Sequence, residues 1–127
     1  MKQQFNQIII DFINHDEQRY NTSGDYFIKN NILYIKISKE YNENKRKKIW
    51  EWLVLIHELV EVLLVIARDI SIDEIDRFDM DFEKMKKESE PGNDKNAPYH
   101  NEHTIATKIE MILAKEFKVN WDEYNDY

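Results

Sequence analysis

The spacing of apolar residues changes along the chain, and each change marks a new element. Gln7 to Ile13 carries Ile8-Ile9-Ile10 and then Phe12. It reads as a first strand, with a short helix as the competing reading because so brief a run does not fix a period. Residues 15–25 are polar and close on Thr22-Ser23-Gly24-Asp25, a turn signal. Tyr26-Phe27-Ile28 is a second strand, and Asn30-Asn31 suits a tight hairpin because Asn tolerates positive φ. From Ile32 to Ser38 the alternation is strict: Leu33, Ile35 and Ile37 share one face, Tyr34, Lys36 and Ser38 the other. These runs predict a small antiparallel N-terminal sheet with one covered face.

Trp50 to Ala67 is apolar around almost its whole circumference, which predicts a buried central helix, covered by the sheet on one side and by later helices on others. The charged link 40–48 precedes it, with Asn42 or Asn44 as its cap. Ser71-Ile72-Asp73-Glu74 has the form of a capping box, flanked by Ile70 and Ile75 as a hydrophobic staple. It opens a second helix whose apolar face is Ile75, Phe78, Phe82 and Met85, with Lys86 and Lys87 in its last turn. Its acidic residues Asp76, Asp79, Asp81 and Glu83 read as a solvated face. Glu90-Pro91-Gly92-Asn93-Asp94 is turn chemistry. A third helix is expected from Pro98 to Phe117, with Ile105, Ala106, Ile109, Ile112, Leu113 and Phe117 as its stripe. A short turn at residues 120–123 would fold Trp121 back onto the core. The expected class is α+β, one domain over residues 1–127.

Composition narrows the chemistry. The net charge is −7, with 25 acidic and 18 basic residues, so no nucleic-acid partner is expected. The short basic run Lys45-Arg46-Lys47-Lys48 reads as a solvated helix start. The absence of cysteine excludes disulfides, thiolate zinc sites and cysteine nucleophiles. The N-terminal residues lack the apolar region and cleavage site of a signal peptide. Charges in the middle of Trp50–Ala67 argue against a membrane span, so a cytoplasmic protein is expected.

Those charges are His57, Glu58 and Glu61, spelling H-E-x-x-E. An imidazole and two carboxylates in an apolar setting are costly unless each finds a partner. His57 and Glu61 lie roughly 40° apart around a helix, one turn above the other, as do the two histidines of the zinc motif H-E-x-x-H. A carboxylate is a legitimate zinc ligand. Glu58, rotated by about 100°, can lie beside the metal and take a proton from a bound water. The third ligand is expected from Tyr99-His100-Asn101-Glu102-His103. The predicted metal ligands are His57, Glu61 and His103, with water in the fourth position, Glu58 as the catalytic base and Glu102 as the runner-up ligand. Glu110 or Asp79 would orient an imidazole. Zinc is the expected divalent ion, although two carboxylates beside a histidine also suit manganese or iron. Against this stands a structural reading, in which a lone His–Glu pair is a plain helix contact and Arg68 neutralises a buried carboxylate. His100 is expected to be exposed and inert, and His15 to lie at the surface.

The chain resembles a family of small, uncharacterised bacterial and phage proteins. The resemblance is carried by Glu17-Gln18-Arg19-Tyr20, Gly24-Asp25, His57-Glu58-Leu59-Val60-Glu61, Phe78-Asp79-Met80, Glu90-Pro91-Gly92, Ala97-Pro98-Tyr99 and Glu102-His103. It implies no activity. A looser likeness is to zincin-type metallopeptidases, which also place a small sheet before a helix bearing H-E-x-x-H. It implies a zincin-like fold, His57 as ligand and Glu58 as base, while Glu61 departs from the pattern. Two functions are therefore expected to compete. One is a small zinc-dependent hydrolase acting on a peptide or protein amide. The other is a non-enzymatic phage accessory protein, with a structural His/Glu cluster and the acidic second helix as its contact face.

Overall fold

Leu33, Ile35 and Ile37 are fully buried in strand β3 (Ile32–Ser38), while Tyr34 and Lys36 between them stay partly exposed. Burial of such a side chain contributes about 1.5–3 kcal/mol, so these three residues fix which face of the sheet meets the helices. The computed structural model describes residues 3–39, 48–85 and 90–125. Strand β2 (Gly24–Lys29) pairs antiparallel with β3 across a two-residue hairpin, where Asn30 and Asn31 take φ of 54° and 62°.

Strand β1 (Gln7–Ile13) corrects the expectation of an antiparallel sheet. It joins the other side of β3 and runs parallel to it, with Ile8 beside Leu33, Ile10 beside Ile35 and Phe12 beside Ile37. The sheet is mixed, in the order β1-β3-β2. The cause lies in residues 14–23, which cross the end of β3 instead of turning back beside β1. Ser38 pins the crossing. Its N–H donates to Ser23 O at 2.9 Å, its hydroxyl donates to Thr22 O at 3.0 Å, and His15 Nδ1 lies 3.0 Å from the same hydroxyl.

Helix α1 (Lys48–Ala67) lies on the covered face of the sheet, and α3 (His100–Glu116) packs along it. Coverage of α1 is incomplete: Trp52 and Leu63 remain 50% and 42% exposed, because sheet and α3 together do not encircle it. Helix α2 (Ile72–Lys84) starts at Ser71, whose hydroxyl accepts the Glu74 N–H at 3.3 Å. Its buried stripe is Ile72, Ile75, Asp79 and Phe82, and Met85 is solvent-exposed.

The buried face of α3 is Glu102, His103, Ala106, Glu110 and Ala114, rotated from the apolar stripe that the sequence suggests. Ile112 is 63% exposed. Polar side chains take the inward positions, and small Ala106 and Ala114 let α3 approach α1. Helix α4 (Trp121–Asn125) returns so that Tyr124 meets Trp50 edge-on, and Trp121 is half-buried. The architecture is α+β. Among the described residues no helix is long and apolar enough to cross a membrane. The candidate cap residues Asn42 and Asn44, the basic residues Lys45 to Lys47, and Lys86 and Lys87 lie outside the described residues.

Candidate metal centre

Helix periodicity brings His57 and Glu61 to one side of α1, and the packing of α3 sets His103 against them. Three atoms then meet: His57 Nε2 lies 3.2 Å from Glu61 Oε1 and 3.1 Å from His103 Nδ1, which lies 2.8 Å from the same Glu61 oxygen. All three side chains are buried. Ligand atoms on one face of a tetrahedral zinc site with bonds near 2.0–2.1 Å stand about 3.3 Å apart. The triangle is therefore close to the size that one small divalent ion spans, and this group is able to hold a metal ion. A proton on one edge satisfies two of the corners, whereas a cation over the centre satisfies all three.

Neighbouring groups aim these atoms. His57 Nδ1 lies 2.8 Å from Glu110 Oε1, and the Tyr124 hydroxyl donates to Glu110 Oε2 at 2.5 Å. With Nδ1–H given to Glu110, Nε2 is the nitrogen that faces the centre, and its lone pair is open to a ligand once the ring is neutral. Tyr26 donates its hydroxyl to Glu61 Oε2 at 2.7 Å, which leaves Oε1 for the triangle. Glu110 thus fills the orienting role expected of it. Asp79 does not touch an imidazole; it accepts hydrogen bonds from Tyr99 (2.7 Å) and Tyr20 (3.1 Å). Tyr99 in turn stands edge-on to the His103 ring.

Burial alone would lower the His57 imidazole, but its bonds to Glu110 and Glu61 outweigh that and hold it up at about 11. Burial also works against His103, which Glu61 and Glu90 raise to about 9. Burial raises Glu61, and the two imidazoles more than reverse this, to about 2. Burial pushes Asp79 up to about 7, against the pull of its two tyrosines. Glu58 goes up well above the usual carboxylate range, first from burial and then from the charge of Glu61. Two protonated imidazoles carry the same charge as one divalent ion with neutral imidazoles. Exchanging two protons for a metal ion therefore leaves the charge of the cluster unchanged.

The centre opens on a cleft of about 960 Å³, whose walls include Glu58, Gly24, Asp79, Phe82, Gly92 and Trp121. The two glycines of the chain both face site side chains. A Cβ on Gly24 would stand 2.6 Å from Glu58 Cγ, and one on Gly92 would stand 2.5 Å from His103 Nδ1. Sequence reasoning missed their role, and missed Tyr26 and Tyr124.

Glu102 is not part of the centre. It is buried and takes a 2.7 Å bond from Arg68 Nη1, so Arg68 does neutralise a carboxylate, but not one of the centre's. Two acidic residues of α2 are likewise tied inward: Asp79 is buried, and Asp76 pairs with Arg19 at 3.0 Å, so only part of that face is solvated. His100 is half-buried and lies 2.9 Å from Gly92 O through Nδ1, not exposed and inert. His15 bridges Ser38 and Asn21. No family model, no curated protein and no solved structure matches the chain.

Proposed function

We propose that the protein is a small zinc-dependent hydrolase of the amide-cleaving type. His57, Glu61 and His103 would hold the ion. The observation that carries this reading is the triangle of donor atoms with edges of 2.8–3.2 Å, buried beneath an open cleft. A divalent ion there would supply Lewis acidity to a bound carbonyl and acidify water. Glu58 lies on the cleft wall one residue after His57, and its raised proton affinity suits a general base. Glu110 keeps the His57 ring in one tautomer, and Tyr26 holds one oxygen of Glu61 away from the centre. The likeness to zincin-type peptidases agrees with the order of sheet, helix and base, and rests on that order alone.

A missing open coordination position, or no cleft above Glu58, would favour the competing reading, a structural cluster in an accessory protein. The cleft on that side supports the hydrolase. The test is metal analysis of protein purified without a histidine tag, followed by hydrolysis of a fluorogenic peptide library. The expected result is one zinc per chain, lost in His57→Ala and His103→Ala. Glu58→Gln should keep the zinc and lose turnover. Stoichiometric zinc in either histidine variant would refute the ligand assignment.

A further inference from the structure

The face of His103 turned away from the triangle is unresolved by the site described so far. Its Nε2 is buried and has no hydrogen-bond partner among the described residues. Glu90 Oε2 lies 3.2 Å from it, close enough to hold the Glu90 carboxylate below its usual range, but not aligned as a hydrogen bond. The Glu90 side chain is 67% exposed. It therefore has room to move.

The segment that carries Glu90 is itself pinned to α3. Residues Pro91–Asn93 form a single 3-10 turn, closed by Asn93 N–H to Glu90 O at 3.1 Å and Asp94 N–H to Pro91 O at 3.0 Å. Gly92 O lies 2.9 Å from His100 Nδ1, one turn before His103. Gly92 itself lies against the His103 ring so closely that no Cβ fits. The strap thus holds one face of the ring through Gly92 and brings a carboxylate to its outer nitrogen through Glu90.

Resting on the metal centre proposed above, we infer that Glu90 is the positioning residue for His103 and ties the strap at residues 90–93 to the loaded centre. When Nδ1 gives its lone pair to an ion, the one proton of the neutral ring sits on Nε2. That N–H is buried and requires an acceptor. Glu90 reaches it by a small side-chain rotation. The bond fixes the tilt of the ring and makes Nδ1 a stronger donor, as a carboxylate behind a ligating histidine does elsewhere. It also draws the strap onto the mouth of the cleft, which Glu90, Gly92 and Asn93 line.

The experiment is zinc affinity by competition with a chromophoric chelator for wild type, Glu90→Ala and Glu90→Gln, with NMR of the His103 imidazole Nε2–H in each zinc-loaded protein. Glu90→Ala should bind zinc about 10–100-fold more weakly. Glu90→Gln, which keeps an oxygen acceptor, should recover part of the loss. The Nε2–H signal should be slow to exchange with solvent in wild type and fast in Glu90→Ala. Equal zinc affinity and equal exchange in Glu90→Ala and wild type overturn this inference alone. A wild type that takes no zinc overturns it together with the metal centre.

Discussion

Adding one methyl group at each of the two glycines separates the proposed metal ligand, His103, from the proposed base, Glu58. Neither glycine has positive φ, so alanine is permitted by the backbone at both positions, and the consequences are steric. A Cβ at Gly92 meets His103 Nδ1 at 2.5 Å, and ordinary contact begins at 3.4 Å, so the ring or the strap must yield by about 0.9 Å. The ring has little freedom, because Nδ1 is held at 2.8 Å from Glu61 and 3.1 Å from His57. Metal–ligand distances tolerate only about 0.2 Å. Gly92→Ala should therefore weaken zinc binding by at least about 100-fold, equivalent to about 2.7 kcal/mol, and overpacking should cost about 1–3 kcal/mol of stability. A Cβ at Gly24 instead meets Glu58 Cγ, Cδ and Oε1 at 2.6–2.8 Å, and these are atoms of a flexible side chain. Gly24→Ala should leave zinc affinity within about 2-fold of wild type, because no ligand moves, while displacing the base and lowering turnover. Zinc titration in a chelator buffer, thermal melts and peptide hydrolysis read the three quantities. Wild-type zinc affinity in Gly92→Ala, or loss of zinc confined to Gly24→Ala, would refute this assignment of ligand and base.

Metal uptake should be coupled to protons: with His57 raised to about 11 and His103 to about 9, zinc binding displaces two protons below pH 9 and one between pH 9 and 11. Log affinity should then rise with pH at a slope near 2 and then near 1, measured by titration with a pH-independent chelator competitor; a flat profile from pH 6 to 9 contradicts the protonated cluster. Because both folded pKa values lie above the unfolded 6.5, their contribution to the stability of the metal-free protein is complete below pH 6.5 and is lost as pH rises through 9 and then 11. Urea unfolding of metal-free protein at pH 6 and pH 10 checks this, and greater stability at pH 10 would count against it. Glu61→Gln removes the shared partner of two buried imidazoles and should cost about 3–5 kcal/mol along with the zinc; full stability in that variant would show the cluster to be loosely packed. Arg68→Ala strips a half-exposed partner from buried Glu102 and should cost only about 1 kcal/mol by urea unfolding, with zinc affinity unchanged; a fall in zinc affinity would place Glu102 in the centre.

What the sequence reveals depends on how local the physics is. The Ser71 cap and the Asn30-Asn31 hairpin are settled within a few residues, and both form as their chemistry predicts. His57 and Glu61 share a side of α1 because helical spacing places them there. His103 joins them because α3 packs along α1 and turns that residue inward. Most of the misreadings are non-local. Nothing in the alternation of Gln7–Ile13 says that its partner is β3 in a parallel register; that follows from the crossing at residues 14–23, pinned by Ser38. Counting apolar residues puts Ile112 on the inward face of α3, yet it is exposed, because Glu102, His103 and Glu110 turn inward to meet Arg68, Glu61 and His57. Asp79 did carry a local signal, lying four residues after Ile75 and three before Phe82 on the buried stripe of α2.

The number of buried polar groups itself argues for a working site. Glu61, Glu110, His57, His103 and Asp79 are all buried, and three tyrosine hydroxyls besides that of Tyr20 are committed to their carboxylates. Replacing a buried charged cluster by apolar side chains of similar volume is often neutral or stabilising, so stability alone gives little reason to keep one. A purely structural cluster would also have no use for both glycines where a side chain would push on Glu58 and His103. Each glycine costs up to about 1 kcal/mol in backbone entropy relative to alanine, and here each keeps open the space that one site side chain occupies. Stability is set aside at the two points where the position of the proposed ligand and of the proposed base would be lost.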